Sequence, residues 1–367
     1  MRRSGPDSAG TARLAAAGTD PTTVTGTFHG RWLTLGKDGR LTLYAPTHDG
    51  LLRWTERSPG GPEWTGPERF PAEDVADVTI VQGADSYVHF VGRRERTGDQ
   101  GPDVDIVHAI QYQSGRPVTE WRSLGNPYRT AENGRKIGRP AAAVDGQGTV
   151  FVFVRNAGRG LQMRREQKDG RWAPWQDLKG SKLTDGPIPA ATGDGHVEVV
   201  VPSQRGVLHW RQPAPDGQLT CGQPLQADVR EGSGTALETA PGRLTYYWTD
   251  TDGVAAYREG SWPVPLGGAP GDGALTALRT RLDGQDCTVL AQRGPADTLV
   301  VGVCGTEAEH NGVWWSDTTV DCTGDPALAL DAYGRVVVAV RGRDGALRTA
   351  RQDPGPGLTL PPHWQRL

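Results

Sequence analysis

The chain has 367 residues, of which 36% are hydrophobic, with 51 Gly, 28 Pro and 12 Trp and a formal net charge of −3. So much Gly and Pro suits a fold of many short strands and turns, while the Trp residues and regular Val/Leu runs exclude a disordered chain. The basic residues form no phosphate-binding stripe and no apolar stretch reaches the length of a transmembrane helix, so neither nucleic acid nor membrane is an expected partner.

The N-terminus is basic at Met1-Arg2-Arg3, but Leu14-Ala15-Ala16-Ala17 is too short for the apolar region of a signal peptide. Residues 1–22 read as a flexible leader and 23–367 as one folded unit. The compartment stays open: cytoplasmic as written, or secreted if the true start lies elsewhere.

From there the chain repeats itself. Leu33-Thr34-Leu35, a turn at Asp38-Gly39, Leu41-Thr42-Leu43, Leu51-Leu52-Arg53-Trp54 and Trp64 make a first copy over 28–70. The second, over 75–125, is irregular. Its second and third strands are expected to be joined by a long connection carrying Arg93, Arg94, Glu95, Arg96, Asp99, Asp103 and Asp105. Another long connection, with Asn126, Tyr128, Arg129, Glu132, Asn133 and Arg135, leads into the third copy.

That third copy, over 137–180, is the clearest. Pro140-Ala141-Ala142-Ala143-Val144 leads to a turn at Asp145-Gly146, and Val150-Phe151-Val152-Phe153-Val154-Arg155 is an apolar run of strand length. Gly158-Arg159-Gly160 turns, Leu161-Gln162-Met163-Arg164 alternates, Asp169-Gly170 turns again, and Trp172-Ala173-Pro174-Trp175-Gln176-Asp177-Leu178 closes the unit. Four short strands and three tight turns make one propeller blade. Further copies occupy 186–229, 232–268, 273–324 and 325–367. The expected architecture is all-β: a seven-bladed β-propeller of four-stranded antiparallel blades, whose apolar faces are hidden only against their neighbours.

The stretch Val340-Arg341-Gly342-Arg343-Asp344-Gly345-Ala346-Leu347 resembles the strand–turn–strand signature of bacterial seven-bladed propeller lectins that bind fucose and related sugars. Residues 172–178 resemble the Trp-x-x-Trp-x-x-Leu of that repeat, and Leu208-His209-Trp210 its third strand. The resemblance implies sugar pockets between blades. One departure stands against it. The lectin repeats carry Ser-Trp followed by Gly near the end of the first strand, and the matching stretches here, Val144-Asp145-Gly146, Thr192-Gly193-Asp194 and Leu330-Asp331, lack that Trp.

Candidate ligand contacts follow. Sugars stack their C–H faces on aromatic rings, which points to Trp54 and Trp210 at third-strand ends and to the outer-strand Trp64, Trp121, Trp175, Trp262 and Trp364; the same rings would serve equally as glue between blades. The two long connections emerge on one face, where Arg94, Arg96, Asp103, Asp105, Tyr128 and Arg129 offer a second ligand or partner surface. Cys287 and Cys304 flank the turn Gly294-Pro295-Ala296-Asp297. A turn centred between Pro295 and Ala296 would place them opposite each other, as a disulfide or as two buried thiols.

No HExxH, GxSxG, P-loop or dinucleotide fingerprint occurs, there is no CxxC, and Thr47-His48-Asp49-Gly50 has the wrong spacing for a sialidase Asp-box. No cofactor and no metal are expected. The reading is a lectin-like propeller that binds carbohydrate between its blades without chemistry. Its alternatives are an enzyme with one asymmetric site on the channel face and a protein-interaction platform.

Overall fold

The computed structural model describes residues 22–98, 101–184 and 186–367. The leader expected over 1–22 lies outside the described residues except for Thr22, and so does Asp99.

Seven antiparallel sheets follow one another along the chain. Blade 1 runs from Leu33–Leu35 to Trp64–Pro71, blade 2 from Val75–Gln82 to Arg122–Gly125, and blade 3 from Ala141–Val144 to Gln176–Lys179. Blade 4 runs from Ile188–Ala191 to Thr220–Cys221, and blade 5 from Thr235–Ala240 to Val264–Gly267. Blade 6 runs from Thr276–Leu282 to Trp314–Asp321, and blade 7 from Ala327–Leu330 to Gln365–Arg366. First strands neighbour one another around the ring and line its channel. These seven sheets fall on the seven copies read from the sequence.

The local chemistry explains the pattern. Second strands such as Val150–Arg155 and Val336–Arg341 are buried almost throughout, because a blade has neighbours on both faces. The first turn of blade 3 is held by Asp145, whose Oδ1 accepts hydrogen bonds from the backbone N–H of Gln147 and Thr149, each at 2.9 Å. Asp331 does the same for Tyr333 and Arg335 in blade 7. A short acidic side chain closing its own turn is what the repeated Asp signals encode.

Two features break the repeat. A fifth strand, His29–Gly30, lies parallel along the channel edge of blade 2, with His29 opposite Thr79 and Gly30 opposite Ile80. Gly30 has φ of 78°, and a Cβ there would stand 2.3 Å from the Ile80 carbonyl oxygen, so the approach requires glycine. The second feature is in blade 2 itself. The expected loop over 93–105 is instead strand: Val88–Gly98 and Gly101–Gln111 pair residue for residue. Arg94 opposes Asp105 and Arg96 opposes Asp103, so opposite charges face each other across the ladder and continue it.

The ring closes without exchanging strands, since blades 1 and 7 each build their four strands from one continuous segment. Side chains fasten the seam instead. The Trp32 indole donates to the Asp325 carbonyl at 3.2 Å, and the fully buried Glu56 carboxylate pairs with Arg351. Glu56 also accepts from the backbone N–H of Leu41 at 2.9 Å and of Gly60 at 3.1 Å. Arg335, bound to Asp331, donates to the Gly60 carbonyl at 2.7 Å.

Of the two readings of Cys287 and Cys304, the buried thiols hold and the disulfide does not. All four cysteines are free thiols. The loop after Arg293 is one residue longer than the turn assumed: Gly294 N donates to the Thr298 carbonyl, and Asp297 takes φ of 57°. The register therefore sets Cys287 opposite Gly305 and Cys304 opposite Thr288. A one-residue slip moves a side chain to the other face of the sheet, so the two sulfurs point to different neighbouring blades.

Candidate functional site

Most of the aromatic candidates are packing. Trp210 is buried, and its indole N–H donates to the Leu178 carbonyl of blade 3 at 3.0 Å. Trp175 donates to the Leu124 carbonyl of blade 2 at 3.2 Å. Trp54 is buried in the cluster joining blades 1, 2 and 7, against which Trp64 and Trp121 are packed. Trp364 packs similarly between blades 6 and 7, while Trp262 stands in solvent. Trp54 and Trp210 are buried and have no ring face left for a sugar, while Trp64, Trp121, Trp175 and Trp364 are half-buried.

The charged residues of blade 2 are likewise engaged locally. Arg94 and Asp105 form an ion pair at 3.1 Å, both largely buried. Arg96, Asp103 and Arg129 are exposed, and Tyr128 packs partly buried beside the blade 2–blade 3 core. The hairpin and the connection into blade 3 do meet. Asn126 Nδ2 donates to the Val104 carbonyl at 2.8 Å and to the Gly134 carbonyl at 3.2 Å, and Arg93 reaches the Arg135 carbonyl at 3.3 Å. Three buried polar atoms there, Arg93 Nε, Arg94 Nε and Asp105 Oδ1, have no hydrogen-bond partner among the described residues.

The open inter-blade site lies elsewhere, between blades 6 and 7. Alternating residues put Trp314, Ser316 and Thr318 of the outer strand on the face toward blade 7, along with Val301 and Val303 of the third strand and Cys287 of the second. Across from them runs segment 357–360, which precedes the last strand of blade 7. The cavity between holds about 950 Å³. Its floor is apolar and its rim carries Asp283, Gln285, Asp286, Thr306 and Asn311.

Three contacts fix this groove. Asp283 accepts from the Gly357 N–H at 2.8 Å, tying the two blades across the mouth. Arg279 grips both oxygens of Asp286, and that bond holds the carboxyl below its usual range. The loop before Trp314 is anchored through Glu309, which is buried, pairs with Arg258 and accepts from the Tyr247 hydroxyl at 3.0 Å. That anchor presents Trp314 with 74% of its surface exposed. Its neighbour Trp315 points the other way and donates to the Leu266 carbonyl of blade 5 at 2.9 Å.

Arg279 keeps Asp286 ionised, so it is a poor proton donor, and burial pushes the Cys287 thiol up, away from thiolate character. Trp314 was missed by the sequence reading. Trp314-Trp315 is a visible signal, but the sequence alone does not show which ring faces a gap.

No family model matches the sequence, and no curated protein matches it. In three dimensions the chain is similar to the BP39L lectin from Burkholderia pseudomallei, at 13% identity and a TM-score of 0.67, covering 92% of this chain and 99% of that one. It is also similar to an ulvan lyase solved with a GlcA(1-4)Rha3S oligosaccharide, at 13% identity and a TM-score of 0.56, covering 90% and 93%. A third match is the Hadza microbial sialidase Hz136, at 15% identity and a TM-score of 0.52, covering 79% and 70%. These likenesses establish the propeller fold, and the resemblance to the propeller lectins read from the repeat holds at that level.

Proposed function

We propose that this propeller binds carbohydrate in the groove between blades 6 and 7 and performs no chemistry on it. The observation that carries the reading is the open indole of Trp314 at the edge of a cavity of about 950 Å³. A pyranose ring has an apolar C–H face and a belt of hydroxyls. The first matches an aromatic ring and the Val301, Val303 and Leu358 floor; the second matches the amide, hydroxyl and carboxylate rim. With Asp283 and Asp286 on the rim, neutral sugars are favoured over acidic ones. The BP39L neighbour is itself a lectin. The groove makes this reading narrower than the sequence expectation of sugar pockets between blades.

The test is a glycan array followed by titration of the best glycan. The Trp314→Ala protein should keep its unfolding midpoint and bind about tenfold more weakly, the equivalent of roughly 1.4 kcal/mol. A blank array with folded protein, or binding indifferent to Trp314→Ala, sinks the proposal.

A further inference from the structure

The channel holds a second cavity, of about 390 Å³, lined by the first strands of blades 2 to 5 and by His29, Gly30 and Arg31. Residues 29–31 are there because the fifth strand of blade 2 carries them in. Arg31 anchors by its backbone, its N–H donating to the Ile80 carbonyl at 2.8 Å. Its guanidinium has no hydrogen-bond or ion-pair partner among the described residues. The ring wall surrounds it, although channel water reaches it, and the loss of bulk solvent lowers its affinity for a proton without discharging it.

The other charged groups lining this cavity are accounted for. Arg139 Nη1 lies 3.1 Å from His29 Nε2, and His29 Nδ1 lies 3.5 Å from Asp325. Glu238 spends both oxygens on backbone N–H groups, of Gly193 and Gly242, each at 2.9 Å. Asp145 is closing its own turn. Among the described residues lining the cavity, the cation of Arg31 is thus the uncommitted charge, set beside a wall of Ala141, Ala143, Ala190 and Ala236 with Ile80 and Ile188.

We infer that the channel is a binding site for one small organic anion, with its oxyanion on Arg31 and its apolar body along the alanine wall. A guanidinium offers the paired donors that a carboxylate or phosphate takes, and a cavity of this size falls within the range of small-molecule sites. A bare inorganic ion would leave the apolar wall unused, and a neutral molecule would leave the guanidinium unpaired. This site is independent of the carbohydrate groove, which lies between other blades.

The probes are benzoate, inorganic phosphate and benzyl alcohol, titrated by calorimetry into the full-length protein at low salt. Benzoate should bind saturably with one site per chain, more tightly than phosphate, and benzyl alcohol should not. Arg31→Gln should weaken benzoate at least about tenfold, as expected for a lost charge-assisted hydrogen bond, and Arg31→Lys should recover part of it. Because strand pairing there uses the backbone, both variants should unfold at the wild-type midpoint. Trp314→Ala should leave benzoate binding unchanged, so the two sites fail or stand separately. Absence of saturable benzoate binding overturns the inference. So does binding indifferent to Arg31→Gln, or equal binding of benzyl alcohol or phosphate.

Discussion

The junction between blades 7 and 1 and the junction between blades 6 and 7 are built from the same repeat, yet one is filled and the other is open. At the first, Glu56, Arg351, Asp331 and Arg335 occupy the wedge and satisfy one another and the adjacent backbone. At the second, the inner part is packed by Leu282, Val289, Val336 and Val338, but the outer part holds small residues and a gap under Trp314. The difference teaches that a propeller can close its ring and keep a binding groove with one architecture, by choosing which wedge to fill.

Removing the filling should have the largest effect. Glu56→Ala leaves Arg351 with Asp331 alone and strands two backbone N–H groups inside the seam, and should cost about 3–5 kcal/mol in denaturant unfolding. A loss under ~1 kcal/mol would mean that the seam is not what closes the ring. Trp210→Ala tests a second filled junction, between blades 3 and 4. The loss of a buried indole and its bond to Leu178 should cost about 3 kcal/mol or more, with glycan affinity unchanged. Weakened sugar binding in a stably folded Trp210→Ala protein would restore the stacking role that its burial argues against.

A third junction is filled by neutral polar groups. His89 and His108 are buried and stacked with nitrogens 3.1 Å apart, and Trp172 of blade 3 packs edge-on to His108. Desolvation lowers His89 to about 4 and His108 to about 3. The unfolded chain takes up these protons near pH 6.5 and the folded chain does not, so stability is present above that pH and falls as pH drops toward 4. The loss should approach about 1.4 kcal/mol per pH unit for each histidine. His108→Phe should roughly halve the slope of unfolding free energy against pH; an unchanged slope would place the titration elsewhere. The smallest effect on stability belongs to the open junction, where Trp314→Ala should lie within ~0.5 kcal/mol of the parent while losing ligand.

The blades were legible because each is punctuated by local chemistry. Turn signals such as Asp145-Gly146 and Asp344-Gly345 fall between short apolar runs of strand length. What escaped was set by geometry between strands. Residues 93–98 look like a polar loop, and become strand only because 101–105 supply the opposite charges in register. The Cys287–Cys304 pairing failed over a single loop residue, which periodicity does not resolve. The two-residue strand at His29–Gly30 is too short to leave a pattern. The groove depends on which blade lies beside Trp314, and the channel cation depends on where the N-terminal segment threads.

That threaded segment has one more consequence. A ring of equivalent blades would offer a molecule in its bore several interchangeable orientations about the axis. The strand at His29–Gly30 makes one sector unlike the rest. A guest there would find a single azimuth, so the bore can distinguish one side of what it holds from the others.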